Sequence, residues 1–222
     1  MTITDRTTKY SITVEAESST GNIYDGTAKS ATGFKTLEFE VEGNTYTVSG
    51  LTTSDPSSTD VCNLTNAISG TAVVKDANNN DVTAQFNVTT KDGKLEIKAR
   101  EVTVSVADKT VEYTGSEQYG NTTYTFNNVV SGQTATITYT PAKGTLVGEY
   151  TNGAYTDNTF KVVAGGTDVT SNYTLKTKTP GKLTITDRTT KYSITVEAES
   201  STGNIYDGTA KSATGFRSEE RL

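Results

Sequence analysis

Tyr10-Ser11-Ile12-Thr13-Val14-Glu15-Ala16-Glu17 sets an apolar side chain at every second position, with polar ones between. A period of two matches the pleat of a half-buried β-strand and no face of a helix. Glu101-Val102-Thr103-Val104-Ser105-Val106 alternates in the same way. Shorter alternating runs lie at Leu37-Phe39-Val41, Tyr46-Val48, Leu95-Ile97 and Thr136-Ile137-Thr138-Tyr139. Gly43-Asn44 and Asp92-Gly93 read as turns between such runs. The best helical window, Asp60 to Ile68, is too short and too rich in Thr and Asn for more than a turn or two. The reading is all-β.

Composition agrees. About one residue in five is Thr, which packs well on a pleated surface and poorly inside a helix. Gly, Asn, Asp and Ser are plentiful enough to turn many short strands. Three Pro and the alternating apolar residues argue against disorder. The formal net charge of −6 is spread without a block of like sign. A basic face for nucleic acid or an anionic membrane is therefore not expected, and neither is membrane insertion, since no span or signal peptide is legible.

The strongest signal is repetition. Thr2 to Phe34 reads TITDRTTKYSITVEAESSTGNIYDGTAKSATGF, and Thr184 to Phe216 repeats it letter for letter, 182 residues on. A fainter repeat divides that unit. Asp81-Val82-Thr83-Ala84-Gln85-Phe86 is echoed by Asp168-Val169-Thr170-Ser171-Asn172-Tyr173, and Gly93-Lys94-Leu95-Glu96-Ile97 by Gly181-Lys182-Leu183-Thr184-Ile185. Tyr24-Asp25-Gly26 is matched by Tyr113-Thr114-Gly115. Two diverged modules of about ninety residues follow, a size suited to a β-sandwich. The expected division is 1–8, the tail strand of a truncated preceding module with Met1 as an added start; 9–99, module one; 100–187, module two; and 188–222, the opening strands of an incomplete third. No Gly/Ser or Pro-rich linker marks either joint. The closing strand of one module should run almost directly into the opening strand of the next, giving an elongated array with about 30–40 Å per module.

On these motifs the chain resembles the YDG and MBG-type repeats of large bacterial surface and secreted proteins. The resemblance rests on Tyr24-Asp25-Gly26-Thr27 after the first strand, and on Asp168-Val169-Thr170-Ser171-Asn172-Tyr173-Thr174-Leu175 before the closing Gly181-Lys182-Leu183-Thr184-Ile185. Thr114 replaces the Asp in module two, and Phe86 stands where Tyr173 does. The resemblance implies tandem Ig-like β-sandwich modules of an adhesin-like protein, extracellular, secreted or at the cell wall. A β-grasp-like module is the alternative; the lack of a helical period favours the sandwich.

Candidate sites are few. Tyr24, Asp25, Gly26, Tyr113, Gly115, Tyr173, Tyr206, Asp207 and Gly208 read as a structural motif, Gly turning the chain and Tyr covering the core edge. Asp76, Asn78 and Asn80 have the spacing of a calcium loop's first ligands, without the Gly and the bidentate Glu that should follow. Lys9, Lys94, Lys109 and Lys182 are candidates for Lys–Asn isopeptide links. Cys62 reads as a small buried hydrophobe. There is no His, no paired carboxylate at a catalytic spacing and no phosphate loop, so neither catalysis nor a cofactor is expected. Two functions remain: a stalk that projects another domain, or repeats that themselves bind host glycan or protein through avidity. The partners expected are neighbouring repeats of the same protein, with the host ligand unknown. Because residues 191–216 duplicate 9–34, the tail should be frayed or paired with another chain in a homo-oligomer through 188–222.

Overall fold

The computed structural model describes residues 7–221, with side chains as far as Arg217. Of the expected 1–8 strand, residues 1–6 lie outside the described residues. Among the described residues, regular structure is strand throughout, apart from two single-turn 3-10 helices at Thr83–Gln85 and Thr170–Asn172. No described helix is long and apolar enough to cross a membrane. The strands gather in small sheets of two or three. They form two compact units that divide the chain differently from the sequence repeats. The first takes the chain up to Val106 with Thr122–Thr140 and Ala154–Pro180; the second takes Ala107–Asn121, Pro141–Gly153 and the chain from Gly181.

The first unit holds two cores. In one, the strand Tyr10–Glu15 runs parallel to Phe86–Lys91, with Tyr10 opposite Phe86 and Val14 opposite Thr90. Its alternation sends Ile12 and Val14 inward against Val48, Val74 and Phe86. Each such aliphatic side chain contributes about 1.5–3 kcal/mol by leaving water. Glu38–Val41, Asn44–Thr53 and Ile68–Asp76 close over this core as an antiparallel sheet. The first hairpin turns through Glu42 and Gly43, both at positive φ, which matches the strand twist. The sequence reading set that turn one residue later, at Gly43-Asn44.

The second core joins the two repeats. Gly93–Lys98 lies between Ser19–Ile23, parallel, and Cys62–Asn66, antiparallel. After Ala99 alone, the chain continues as Arg100–Val106, flanked by Tyr124–Asn127 and Tyr173–Thr179. Tyr24, Ala31, Leu95 and Ile97 from the first repeat pack with Val102, Val162 and Tyr173 from the second. The window considered for a helical turn, Asp60 to Ile68, contains the strand Cys62–Asn66.

Asp92-Gly93 is no hairpin turn. The strands on either side of Asp92 belong to different sheets, so the chain steps there from the first core to the second. Asp92 Oδ1 accepts the Ile68 amide at 2.8 Å. A Cβ on Gly93 would lie 2.0 Å from the Glu17 carbonyl oxygen, so only Gly lets the two backbones cross.

The Asp-Val-Thr echo has a local cause. Asp81 and Asp168 each accept the amide of the Thr two residues on, at 2.9 and 3.0 Å. The Thr83 and Thr170 hydroxyls each accept a strand amide, from Val74 and Val162, at 2.8 Å. The motif fixes a 3-10 turn to the preceding strand in both repeats.

In the second unit, Leu183–Thr186 lies between Lys109–Glu112, parallel, and Gly148–Tyr150, antiparallel. Ala142, Leu183 and Ile185 are buried, with Val111, Tyr113 and Tyr150 against them. Beyond Arg188, the strand Ser193–Ala198 pairs antiparallel with Phe216–Arg221 of its own tail.

Candidate functional site: the joint between repeats

Tyr24 opens the Tyr-Asp-Gly motif at the end of a short strand, and the turn that follows aims its ring into the second core. Gly26, at φ +78°, makes the turn. Asp25 clamps it: one carboxylate oxygen accepts the Thr27 amide and hydroxyl at 2.9 and 2.6 Å, and the other meets Lys29 Nζ at 2.7 Å. Lys29, with the Thr27 hydroxyl and amide, holds the Asp25 carboxyl well below the usual carboxylate range.

The Tyr24 ring meets Tyr173 edge-on, centroids 5.3 Å apart. Gln133 links the two phenols: its Nε2 donates to Tyr24 Oη at 2.9 Å, and its Oε1 accepts from Tyr173 Oη at 2.7 Å. Tyr173 Oη also accepts the Val130 amide at 3.2 Å. Burial raises the Tyr173 phenol above its ordinary value, so it stays a neutral donor. Two further contacts cross from repeat to repeat. Arg100 Nη1 donates to the Tyr24 carbonyl at 3.1 Å while Nε donates to Asn128 O at 2.8 Å. Buried Asn172 accepts the Val61 amide and donates to Asp60, both at 2.7 Å. The joint is thus a shared apolar core with its polar atoms matched across it, an arrangement that fixes register as well as adhesion.

The second unit carries the counterpart. Arg188 Nη1 donates to the Tyr113 carbonyl at 3.3 Å, as Arg100 does to Tyr24. Its guanidinium lies 4.1 Å from the centre of the Tyr192 ring, and Tyr192 Oη donates to Thr114 O at 3.2 Å. Tyr113, Val147, Asp187, Arg188, Lys191 and Tyr192 line an open cavity of about 540 Å³ here. Gly115 has φ +80°.

The repeated motif in the tail keeps its turn but not its burial. Gly208 has φ +78°, and Asp207 holds Thr209 and Lys211 as Asp25 holds Thr27 and Lys29. Lys211 draws the Asp207 carboxyl down to about 2. Tyr206, with no second repeat over it, is 94% exposed where Tyr24 is 2% exposed.

Asp76, Asn78 and Asn80 form a closed turn. Asp76 Oδ1 accepts the Asn78 and Asn80 amides at 2.9 and 2.8 Å, and Oδ2 accepts Asn80 Nδ2 at 3.0 Å. Three of the carboxylate's roughly four acceptor positions are therefore used by the turn. Among the described residues, no group of three or more His, Cys, Asp or Glu is placed to hold a metal ion. Of the isopeptide candidates, Lys94 and Lys182 face Glu96 and Glu149, Lys109 donates to the Tyr119 carbonyl, and Lys9 is exposed. Cys62 is half-buried against the Tyr24 core.

Sequence reasoning picked out Tyr24, Gly26 and Tyr173 but missed Arg100, Gln133 and Asn172. Arg100 was within reach, because the Gly93 and Gly181 runs end on Arg100 and Arg188 at the same spacing. Gln133 carries no such signal, being one polar residue among many in a turn-rich stretch, and Asn172 lies within the Asp168–Leu175 motif, which does not say what its side chain reaches. No protein-family model, curated protein or solved structure matches this chain.

Proposed function

We propose that the chain is a non-catalytic spacer of an adhesin-like bacterial surface or secreted protein, built of YDG/MBG-type tandem repeats. Its modules at 9–99 and 100–187 are Ig-like β-sandwiches chained end to end, followed at 188–222 by the opening strands of an incomplete third, all working outside the cell. The observation that carries this reading is the joint. One residue separates the strands Gly93–Lys98 and Arg100–Val106, and a common core with the Tyr24–Gln133–Tyr173 chain spans the two repeats. A joint of that kind resists bending, because any hinge motion must expose Tyr24 and break buried hydrogen bonds. A spacer needs that property, and needs no cleft. Small-angle scattering on this chain and on a version ending at Arg188 tests the proposal. A rod of roughly 70–80 Å for two modules, estimated from strand rise, is expected. A globular or flexible profile would overturn the spacer reading.

A further inference from the structure

We infer that residues 191–216 are a docking surface for a second copy of this chain, in which they take the seat held there by residues 9–34. The two segments are identical in sequence, yet the structure holds them in opposite states. Ile12 is 6% exposed and Ile194 69%; Val14 is fully buried and Val196 63% exposed. The tail therefore exposes Ile194, Val196, Tyr206 and Phe216, and the surfaces that seat the same side chains in the first copy are known. For Ile12, Val14 and Phe34 it is the parallel ladder of Phe86–Lys91 and the core of Val48, Val74 and Phe86; for Tyr24 it is the core of Leu95, Ile97 and Tyr173.

Part of the tail is already folded for that seat. Ala198 pairs antiparallel with Phe216, and the Glu199 amide donates to Gly215 O at 3.1 Å. In the first copy Ala16 pairs with Phe34 in the same way, and the Glu17 amide donates to Gly33 O at 2.9 Å. Asn204 Nδ2 holds Ser201 Oγ as Asn22 Nδ2 holds Ser19 Oγ. What must change is the set of strand partners: residues 201–205 and 211–212, which are not strands in the tail, take the pairings of Ser19–Ile23 and Lys29–Ser30. Residues 193–197 also leave 217–221, whose sequence departs from the first copy, and join residues 86–91 of the second molecule, while Ala198 keeps Phe216. Preformed turns keep the ordering cost of that step low. In the wild-type chain the resident copy competes for the same seat with the advantage of its short tether, so exchange grows with concentration.

The test weakens the resident strand in the full-length chain. Val14→Asp puts a carboxylate at a fully buried position and leaves the tail intact, whereas Val14→Asp with Val196→Asp disables both copies. Each is followed by sedimentation over a hundredfold dilution, with far-UV circular dichroism for strand content. The single variant is expected to keep its strand signal and to associate reversibly into dimers or longer head-to-tail chains. The double variant should lose strand signal and sediment near 23.6 kDa. A single variant that stays monomeric throughout, or that associates no more than the double variant, would overturn the inference.

Discussion

Tyr24 and Tyr206 sit in identical sequence from 22 residues before the tyrosine to ten after it, so one substitution made at each separates local from tertiary energy. Tyr24→Ala removes a ring that is 2% exposed, stacks on Tyr173 and accepts from Gln133. Emptying a buried aromatic site costs about 3–5 kcal/mol. The lost edge-on stacking adds about 0.5–1.5 kcal/mol, part of which the cavity figure already contains. The expected loss is about 4 kcal/mol, or roughly 8–16 °C in Tm for a unit of this size. Tyr206→Ala, at a ring 94% exposed, should change stability by less than about 0.5 kcal/mol. The chain supplies its own probe, because the sole Cys, Cys62, packs half-buried against the Tyr24 core. Its rate of reaction with a thiol reagent across a urea series reports opening of that core. Equal shifts for the two variants, or a loss below about 1 kcal/mol at Tyr24, would refute the claim that this ring ties the repeats together.

Three further outcomes follow from the same geometry. Gly93→Ala should cost about 3 kcal/mol, seen as a lowered urea midpoint, since its Cβ meets Glu17 O at 2.0 Å and neither backbone can yield. Asp25, Asp55, Asp76, Asp81 and Asp168 are held below their ordinary 3.8, chiefly by Lys29, Thr53, Asn80, Thr83 and Thr170 respectively. Depressed carboxylates lend stability that is complete above pH about 4 and lost as pH falls through the folded values. With no His in the chain, Tm should be level between pH 5.5 and 8 and fall below pH 4; a step near pH 6.5 would contradict this. Millimolar calcium should move Tm by less than about 1 °C, because both Asp76 oxygens already accept from the turn; a rise that chelator reverses would revive the site.

The parts of this fold that the sequence made legible are those whose cause is local. Alternation at Tyr10–Glu15 and Arg100–Val106 is a property of the pleat, so it survives reading without a structure. The Asp-x-Thr clamps work within a few residues, which is why Asp25 and Asp207 build the same turn although one lies in a core edge and the other in water. What escaped reading depends on distance along the chain. Gln133 is 109 residues from Tyr24, and Asn172 is 112 from Asp60. Nothing around Gln133 distinguishes it from a solvated turn residue, and the motif around Asn172 does not name the partner it reaches. Asp92-Gly93 shows the same limit from the other side. The dipeptide has turn chemistry, but here Gly meets a steric demand set by Glu17, far earlier in the chain, and the strand leaves for another sheet.

That division bears on how an array of near-identical repeats folds. Where a turn is encoded locally, every copy forms it, and identical copies cannot be told apart at that level. Correct pairing must then come from contacts that differ between repeats. Tyr173 and Phe86 occupy matching places in the Asp-Val-Thr echo, yet only Tyr173 brings a hydroxyl to Gln133. Phe86 instead packs with Tyr10 and Tyr46. The two cores are thus closed by different aromatic sets, Phe86 with Tyr10 and Tyr46 in one and Tyr24 with Tyr173, bridged by Gln133, in the other. A copy of Tyr24 seated against a repeat that lacks Gln133 would bury its hydroxyl without that partner, a loss of about 1–3 kcal/mol. Alternating two diverged repeats therefore gives neighbours a means of discrimination, while the verbatim copies 182 residues apart have none and must rely on tether length.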